Sequence, residues 1–363
     1  MVRTLVVNAG SSSLKLSALD DEDVLVGSEN VDAPGGRPDE GLLRRAVEHW
    51  APIDAAGHRI VHGGTVFVEP VVVTPAVRDQ LEALTDLAPL HQPNSLRALD
   101  LVSGLLEGVP AIACFDTAFH ATLPPAASTY AVPFEWREKW GVRRFGFHGL
   151  SHAYAARRAT ELLGTPVRVV TCHLGAGASL AAVDRGVSVD TTMGFTPLEG
   201  LVMATRSGSI DPGLVLWLQE HERVPAAELA AALERRSGLL GLAGSADMRE
   251  VVAAQAAGDP EAILAIGVYL HRLRASIASM AAAMNGMDAL VFTGGVGEHA
   301  SEIRQGAADG LGFLGVAVDP EANRSAAPDV EITAGGAGVR TLVITAREDL
   351  EITRSVRSVL QPH

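Results

Sequence analysis

The chain repeats one strand grammar, and that duplication constrains its fold more than any other feature. Thr4 to Ala9 reads as an apolar strand, Gly10-Ser11-Ser12-Ser13 as a small-residue turn, and Leu14 to Leu19 as an alternating strand, with a further strand near Val24-Leu25-Val26. From Val167 the order returns: a strand to Leu174, the turn Gly175-Ala176-Gly177, a strand to Asp184, a tight turn at Arg185-Gly186, and a strand to Asp190. Residue identity between the copies is low, so the warrant is the shared pattern. Two α/β domains built alike, each offering a glycine-bearing hairpin, predict a cleft that clamps a nucleotide. At 363 residues the chain can fill two cores.

The first hairpin reads as a phosphate cradle. Gly10 lets the backbone come close to a ligand, the Ser11 to Ser13 hydroxyls and local N–H groups can donate, and Lys15 adds one positive charge. It is not a Walker A loop, because Leu14 to Leu19 continues as a strand where that motif opens a helix. An ordinary serine-rich hairpin is the competing reading, since Asn, Gly and Ser are common turn residues. Net charge is −14, which argues against nucleic acid or an anionic membrane as partner, so any phosphate site must be local. No charged leader and no long apolar run stands out, which predicts a soluble, cytoplasmic protein. Cys114 and Cys172 each lie in an apolar run and read as reduced core thiols.

Other stretches carry candidate chemistry. In His58-Arg59-Ile60-Val61-His62-Gly63-Gly64, strand alternation puts Arg59 and Val61 on one face, a cation beside a small apolar group. That suits a small carboxylate with an alkyl tail; a surface ion pair is the alternative. The strand Ala111 to Phe115 delivers Asp116 at its carboxyl end, where ligands of open α/β sheets gather, although such an Asp is often a helix cap. His148 lies between glycines before a helix, Arg206 lies in a loop of small donors, and Ser237 to Arg249 and Thr293 to Glu298 are further glycine-rich approaches.

Taken together, Asn8 to Lys15, His58 to Gly64, Asp116 to His120, Phe145 to Gly149 with Ser151-His152, and Asp190 to Leu201 with Thr205 to Gly208 resemble the acetokinase family. The resemblance covers nearly the whole chain and places it among the actin- and hexokinase-like phosphotransferases. It implies an α/β fold of two duplicated ribonuclease-H-like (actin-like ATPase) domains around a nucleotide cleft. One domain would hold residues 1–120 with the closing helix 350–363, the other 121–349. The implied reaction is ATP plus acetate giving ADP plus acetyl phosphate, in a homodimer.

The resemblance also implies roles. Asn8 and Glu348 would help hold Mg²⁺ (or Mn²⁺), and Ser11, Ser13 and Lys15 would line the phosphate path. Arg59 and Arg206 would hold the carboxylate and the transferring phosphoryl, with Asp116 the essential acid and His148 a transition-state donor. His173, Leu174, Gly175, Ala176 and Gly177 would surround ATP together with Asp247, Met248, Arg249, Gly295, Val296, Gly297, Glu298 and His299. Val61, Leu90, Phe147 and Pro197 would form the methyl pocket.

Elementary chemistry agrees with these roles. Phosphoryl transfer needs positioning and charge neutralisation more than covalent help, and a simple carboxylic acid, with a pKa of about 4, is already ionised at neutral pH. Asp116 is therefore expected to position metal or water, not to act as a base. Ala176 and Arg347 each stand where the family usually has Asn, which leaves the preferred phosphoryl carrier open. Propionate or butyrate as acceptor is the enzymatic alternative, and an actin-like module that binds ATP without transferring it is the non-enzymatic one.

Overall fold

A computed structural model describes residues 3–10, 13–89 and 91–361. The expected positions Ser11 and Leu90 lie outside the described residues. The chain divides into two compact units: Met1–Ala121 with Phe147–Tyr154 and Arg347–His363, and Thr122–Gly146 with Ala155–Ala346. Phe147–Tyr154, placed by the sequence reading with the second half, thus packs with the first, as do residues 347–349.

The first unit holds β1 (Thr4–Ala9), β2 (Ser13–Leu19), β3 (Leu25–Asp32), β4 (Ala55–Ile60), β5 (Val71–Val72) and β6 (Ala111–Phe115), in the sheet order β3-β2-β1-β4-β6-β5. The second holds β7 (Arg168–Leu174), β8 (Ala178–Asp184), β9 (Val187–Thr191), β10 (Ala289–Thr293), β11 (Val330–Glu331) and β12 (Arg340–Val343), ordered β11-β12-β10-β7-β8-β9. Read from its other edge, the second sheet is the first. In both, an antiparallel meander of three strands adjoins parallel pairs, β1 with β4 and β4 with β6, β7 with β10 and β10 with β12. Each sheet closes on a short antiparallel edge strand. The duplicated grammar is therefore a duplicated ribonuclease-H-like topology.

Alternation along the first sheet sorts its side chains onto two faces. Leu5, Val7, Leu14 and Leu16 enter one buried cluster with Leu43, Ala98 and Val102, from helices Glu40–His49 and Gln92–Leu105. Val6, Ile112 and Cys114 enter another with Leu150 and with Ile352 and Val356 of the closing helix Glu348–Leu360. Burying each such aliphatic side chain contributes about 1.5–3 kcal/mol. A Cβ on Gly57 would come within 2.5 Å of Ile352, so glycine there lets the closing helix lie directly on β4. The same face carries Asn8, Arg59 and Asp116 to the strand ends, beside the start of that helix.

Candidate active site

Asn8 and Arg59 are the penultimate residues of β1 and β4, and Asp116 follows β6 directly, so three neighbouring parallel strands set three polar side chains at one edge. Arg59 Nε donates to Asp116 Oδ1 and Oδ2 at 3.0 and 3.1 Å, and its Nη2 to Oδ2 at 2.6 Å. Nη1 donates to Asn8 Oδ1 at 3.1 Å and lies 3.8 Å from Glu348 Oε2, which itself accepts from Asn8 Nδ2 at 2.8 Å. Arg59 is thus in an ion pair, as the alternative reading had it, but a largely buried one. The Asp116 carboxylate bonds to Arg59 and does not cap Thr117 onward.

Burial works against the charge on Arg59, but Asp116 and Glu348 outweigh it and hold the guanidinium more firmly protonated. Burial likewise raises the Asp116 carboxyl, with Arg59 opposing. An arginine carries five N–H donors. Among the described residues three of them have an acceptor, which leaves one on each Nη for an incoming oxygen.

Glu348 is the first residue of its helix, and Arg347 before it is held sideways by Asp349, Nε to Oδ1 and Nη2 to Oδ2 both at 2.9 Å. The charge that replaces the expected Asn is therefore matched by its own neighbour. Among the described residues no three His, Cys, Asp or Glu side chains gather as a metal cage. Mg²⁺ needs none: it takes hard oxygen ligands, one or two of them carboxylates, and keeps water and substrate phosphates for the rest. Glu348 and Asn8 fit that donor chemistry.

Phe147 is fully buried, edge-on to His62 with ring centroids 5.4 Å apart, and its carbonyl accepts from His120 Nε2 at 3.1 Å. Val61 is buried in the same unit. His148 has φ +55°, a left-handed backbone that non-glycine residues adopt at a cost of about 1–3 kcal/mol and mostly at functional sites. In the first hairpin, Gly10 N–H donates to Ser13 O at 2.8 Å, and exposed Lys15 pairs across the sheet with Asn8, on its face.

In the second unit, Arg206 Nη1 donates to Pro197 O at 2.5 Å, and no carboxylate among the described residues pairs with it. Burial lowers its pKa, with Glu234 only partly offsetting. A cavity of about 760 Å³ lies in this unit, and three expected nucleotide segments line it: Gly175-Ala176, Asp247 to Arg249, and Gly295, Val296 and His299. His173, Leu174, Gly177, Gly297 and Glu298 do not. Leu174 is buried in the core, and Glu298 Oε1 instead accepts from the Gly294 and Ala346 N–H groups at 3.0 and 2.9 Å. Tyr269 and Val252 also line the cavity, from helices Pro260–Ala283 and Met248–Ala256, and no glycine turn in the sequence singles them out.

Residues 41–354 match the acetokinase family. The chain belongs to the acetokinase family. It is 45% identical over 390 residues to an acetate kinase of Leifsonia xyli subsp. xyli, covering 98% of each chain. An acetate kinase structure from Porphyromonas gingivalis superposes with a TM-score of 0.90 at 34% identity, covering 99% of this chain and 100% of that one. A propionate kinase structure from Francisella tularensis superposes with a TM-score of 0.91, also at 34% identity, covering 98% and 99%. The duplicated actin-like fold is thus that of acetokinase-family enzymes. No helix among the described residues is long and apolar enough to cross a membrane.

Proposed function

We propose that this acetokinase-family chain catalyses reversible transfer of the γ-phosphoryl group between ATP and acetate. The observation that carries the reading is Arg59, a buried, firmly charged guanidinium with one N–H on each Nη that no described residue takes up, set beside the oxygen donors Asn8 and Glu348. A carboxylate oxygen of acetate attacks the γ-phosphorus in line, the bond to the β-bridging oxygen breaks, and ADP leaves as acetyl phosphate forms. No base is required, because acetate is already ionised.

The roles divide between the units. In the first, Arg59 binds the acetate carboxylate, Asp116 orients Arg59 in place of the metal or water role expected for it, Val61 and Phe147 border the methyl group, and His148 donates to the transferring group. Ser13 and Lys15 face phosphate oxygens. Asn8 and Glu348 hold Mg²⁺, which when bound supplies charge neutralisation on the phosphates. In the second unit the 760 Å³ cavity takes the nucleotide, and Arg206, paired with no carboxylate among the described residues, answers the charge of the phosphoryl group.

The protein acts as a cytoplasmic homodimer in this reading. Two buried free thiols suit a reducing compartment. Helix Pro212–Glu220 buries none of its residues while exposing Leu214, Leu216 and Trp217, apolar side chains fit to meet a second copy.

Hydroxamate formed from acetate, ATP and hydroxylamine tests the activity, and its absence with folded protein overturns the reading. Because a propionate kinase is as similar in structure as an acetate kinase, kcat/KM is compared for both acids. One methylene discriminates by only about 1–3 kcal/mol, so acetate is expected to lead with propionate accepted.

A further inference from the structure

The loop between Thr191 and Gly200 has almost no secondary structure of its own, yet three side chains tie it down along its length. Arg144 Nη1 donates to the carbonyls of Thr191, Thr192 and Met193 at 3.1, 3.1 and 3.0 Å, and its Nη2 to Glu199 Oε1 at 2.8 Å. The Tyr130 hydroxyl donates to Glu199 Oε2 and accepts from Phe195 N–H at 3.0 Å. A Cβ on Gly194 would fall on the Glu199 carboxylate and the Tyr130 hydroxyl, so the pair presses directly against the loop backbone. Arg144 also lies over the Tyr130 ring, 5.5 Å from its centroid.

Pro197 lies between the two tethered points, Phe195 and Glu199, and its carbonyl accepts from Arg206 Nη1. The Arg206 backbone is fixed separately: its carbonyl accepts from Met203 N–H at 3.1 Å, and the next residue's N–H donates to Leu233 O at 3.0 Å. The position of the guanidinium is thus set by where Pro197 O stands, and that is set by the Arg144–Glu199–Tyr130 network. A network whose members each satisfy the others is rigid in the way a positioning device must be.

We infer that Glu199 and Tyr130 are positioning residues for the phosphoryl-transfer reaction, acting on it only through the Pro197 carbonyl and Arg206. The inference rests on the phosphoryl-transfer reading of the site. Neither residue lines the nucleotide cavity, so their removal leaves ATP binding intact and reduces the rate of transfer. Misplacing a catalytic group by about 1 Å costs on the order of 100-fold in rate.

The test is a double-mutant cycle on the full-length enzyme. Glu199→Gln keeps the shape but loses the charge; Tyr130→Phe, made in parallel, removes the hydroxyl and remains informative should Glu199→Gln fail to fold. Each is expected to lower kcat for acetyl phosphate formation on the order of 100-fold, with KM for ATP within twofold of wild type. In an Arg206→Ala background the same substitutions should lower kcat no further than about twofold, because the group they position is gone. A folded variant with wild-type kcat, or a kcat loss that persists in full in the Arg206→Ala background, overturns the inference while leaving the activity itself standing. A wild-type enzyme that forms no hydroxamate overturns the functional reading first, and this inference with it.

Discussion

Arg59 grips Asp116 from the side, Nε to both carboxylate oxygens and Nη2 to Oδ2 at 2.6 Å, with only 2% of the Asp116 side chain exposed. Such a pair orients a guanidinium more than it stabilises a fold, because desolvating two charges offsets most of their attraction. Removing one partner is a different matter, since it strands the other. Asp116→Ala is expected to cost about 3–5 kcal/mol of stability in denaturant unfolding. Asp116→Asn keeps the shape and tests orientation: kcat/KM for acetate should fall on the order of 100-fold with KM for ATP little changed. A folded Asp116→Asn enzyme with wild-type kcat/KM for acetate would remove the orienting role.

Arg206 predicts the opposite balance of stability and rate. It is a partly buried cation with a carbonyl partner and no carboxylate among the described residues. Arg206→Ala therefore removes a buried charge that Glu234 only partly offsets, and the melting temperature should stay level or rise. The rate of transfer should drop about 100- to 1000-fold, the usual effect of losing one transition-state donor. Differential scanning calorimetry alongside steady-state kinetics reads both, and a large loss of stability with little loss of rate would assign Arg206 to the fold.

Two buried histidines make stability depend on pH. His58 is lowered to about 4 by burial, with Asp100 opposing, and neither ring nitrogen has a hydrogen-bond partner among the described residues; His120 is lowered to about 4 by burial, with the Phe147 carbonyl opposing. In the unfolded chain both return to 6.5. The unfolded state therefore binds more protons between pH 6.5 and 4, and their contribution to stability, complete above that window, is lost as pH falls through it. Each withdraws up to about 1.4 kcal/mol per pH unit. His58→Leu gives up no hydrogen bond, so it should flatten the decline by the equivalent of one proton in unfolding measured from pH 7 to 4.5. An unchanged slope would exclude His58 as its source.

The duplicated meander was legible because strand period and turn residues are local signals, and the same signals set Asn8 in a strand and Asp116 just past one; Arg59 they set near the start of a strand expected over His58 to Gly64, whereas β4 runs Ala55–Ile60 and brings Arg59 near its end. What they could not supply is pairing across the chain. Nothing near Asp116 announces that Arg59 holds its carboxylate, and nothing near Arg347 announces that Asp349, two residues on, and not the adjacent Glu348, matches its charge. Chain order alone puts Phe147–Tyr154 with the second half, whereas burial of Phe147 and Leu150 against first-unit residues decides its place. Glu298 shows the same limit: a glycine-rich motif suggested ligand contact, and the fold uses its carboxylate to brace two backbone N–H groups.

Ala176 offers the last prediction. It lines the 760 Å³ cavity, its carbonyl accepts from Ala204 N–H at 3.1 Å, and its side chain brings no polar atom to the cavity, whose polar side chains come from other segments, Asp247, Arg249, Tyr269, His299 and Glu302. Ala176→Asn would add an amide at the turn between β7 and β8 without disturbing that backbone bond. A net hydrogen bond is worth about 0.5–1.5 kcal/mol, so KM for ATP should fall roughly two- to tenfold, with KM for acetate unchanged. Isothermal titration with ADP reads the same gain without turnover. If nucleotide affinity does not move, or weakens, then the β7–β8 turn is not against the phosphates, and the nucleotide must be held chiefly by the segments around Asp247 and Gly295.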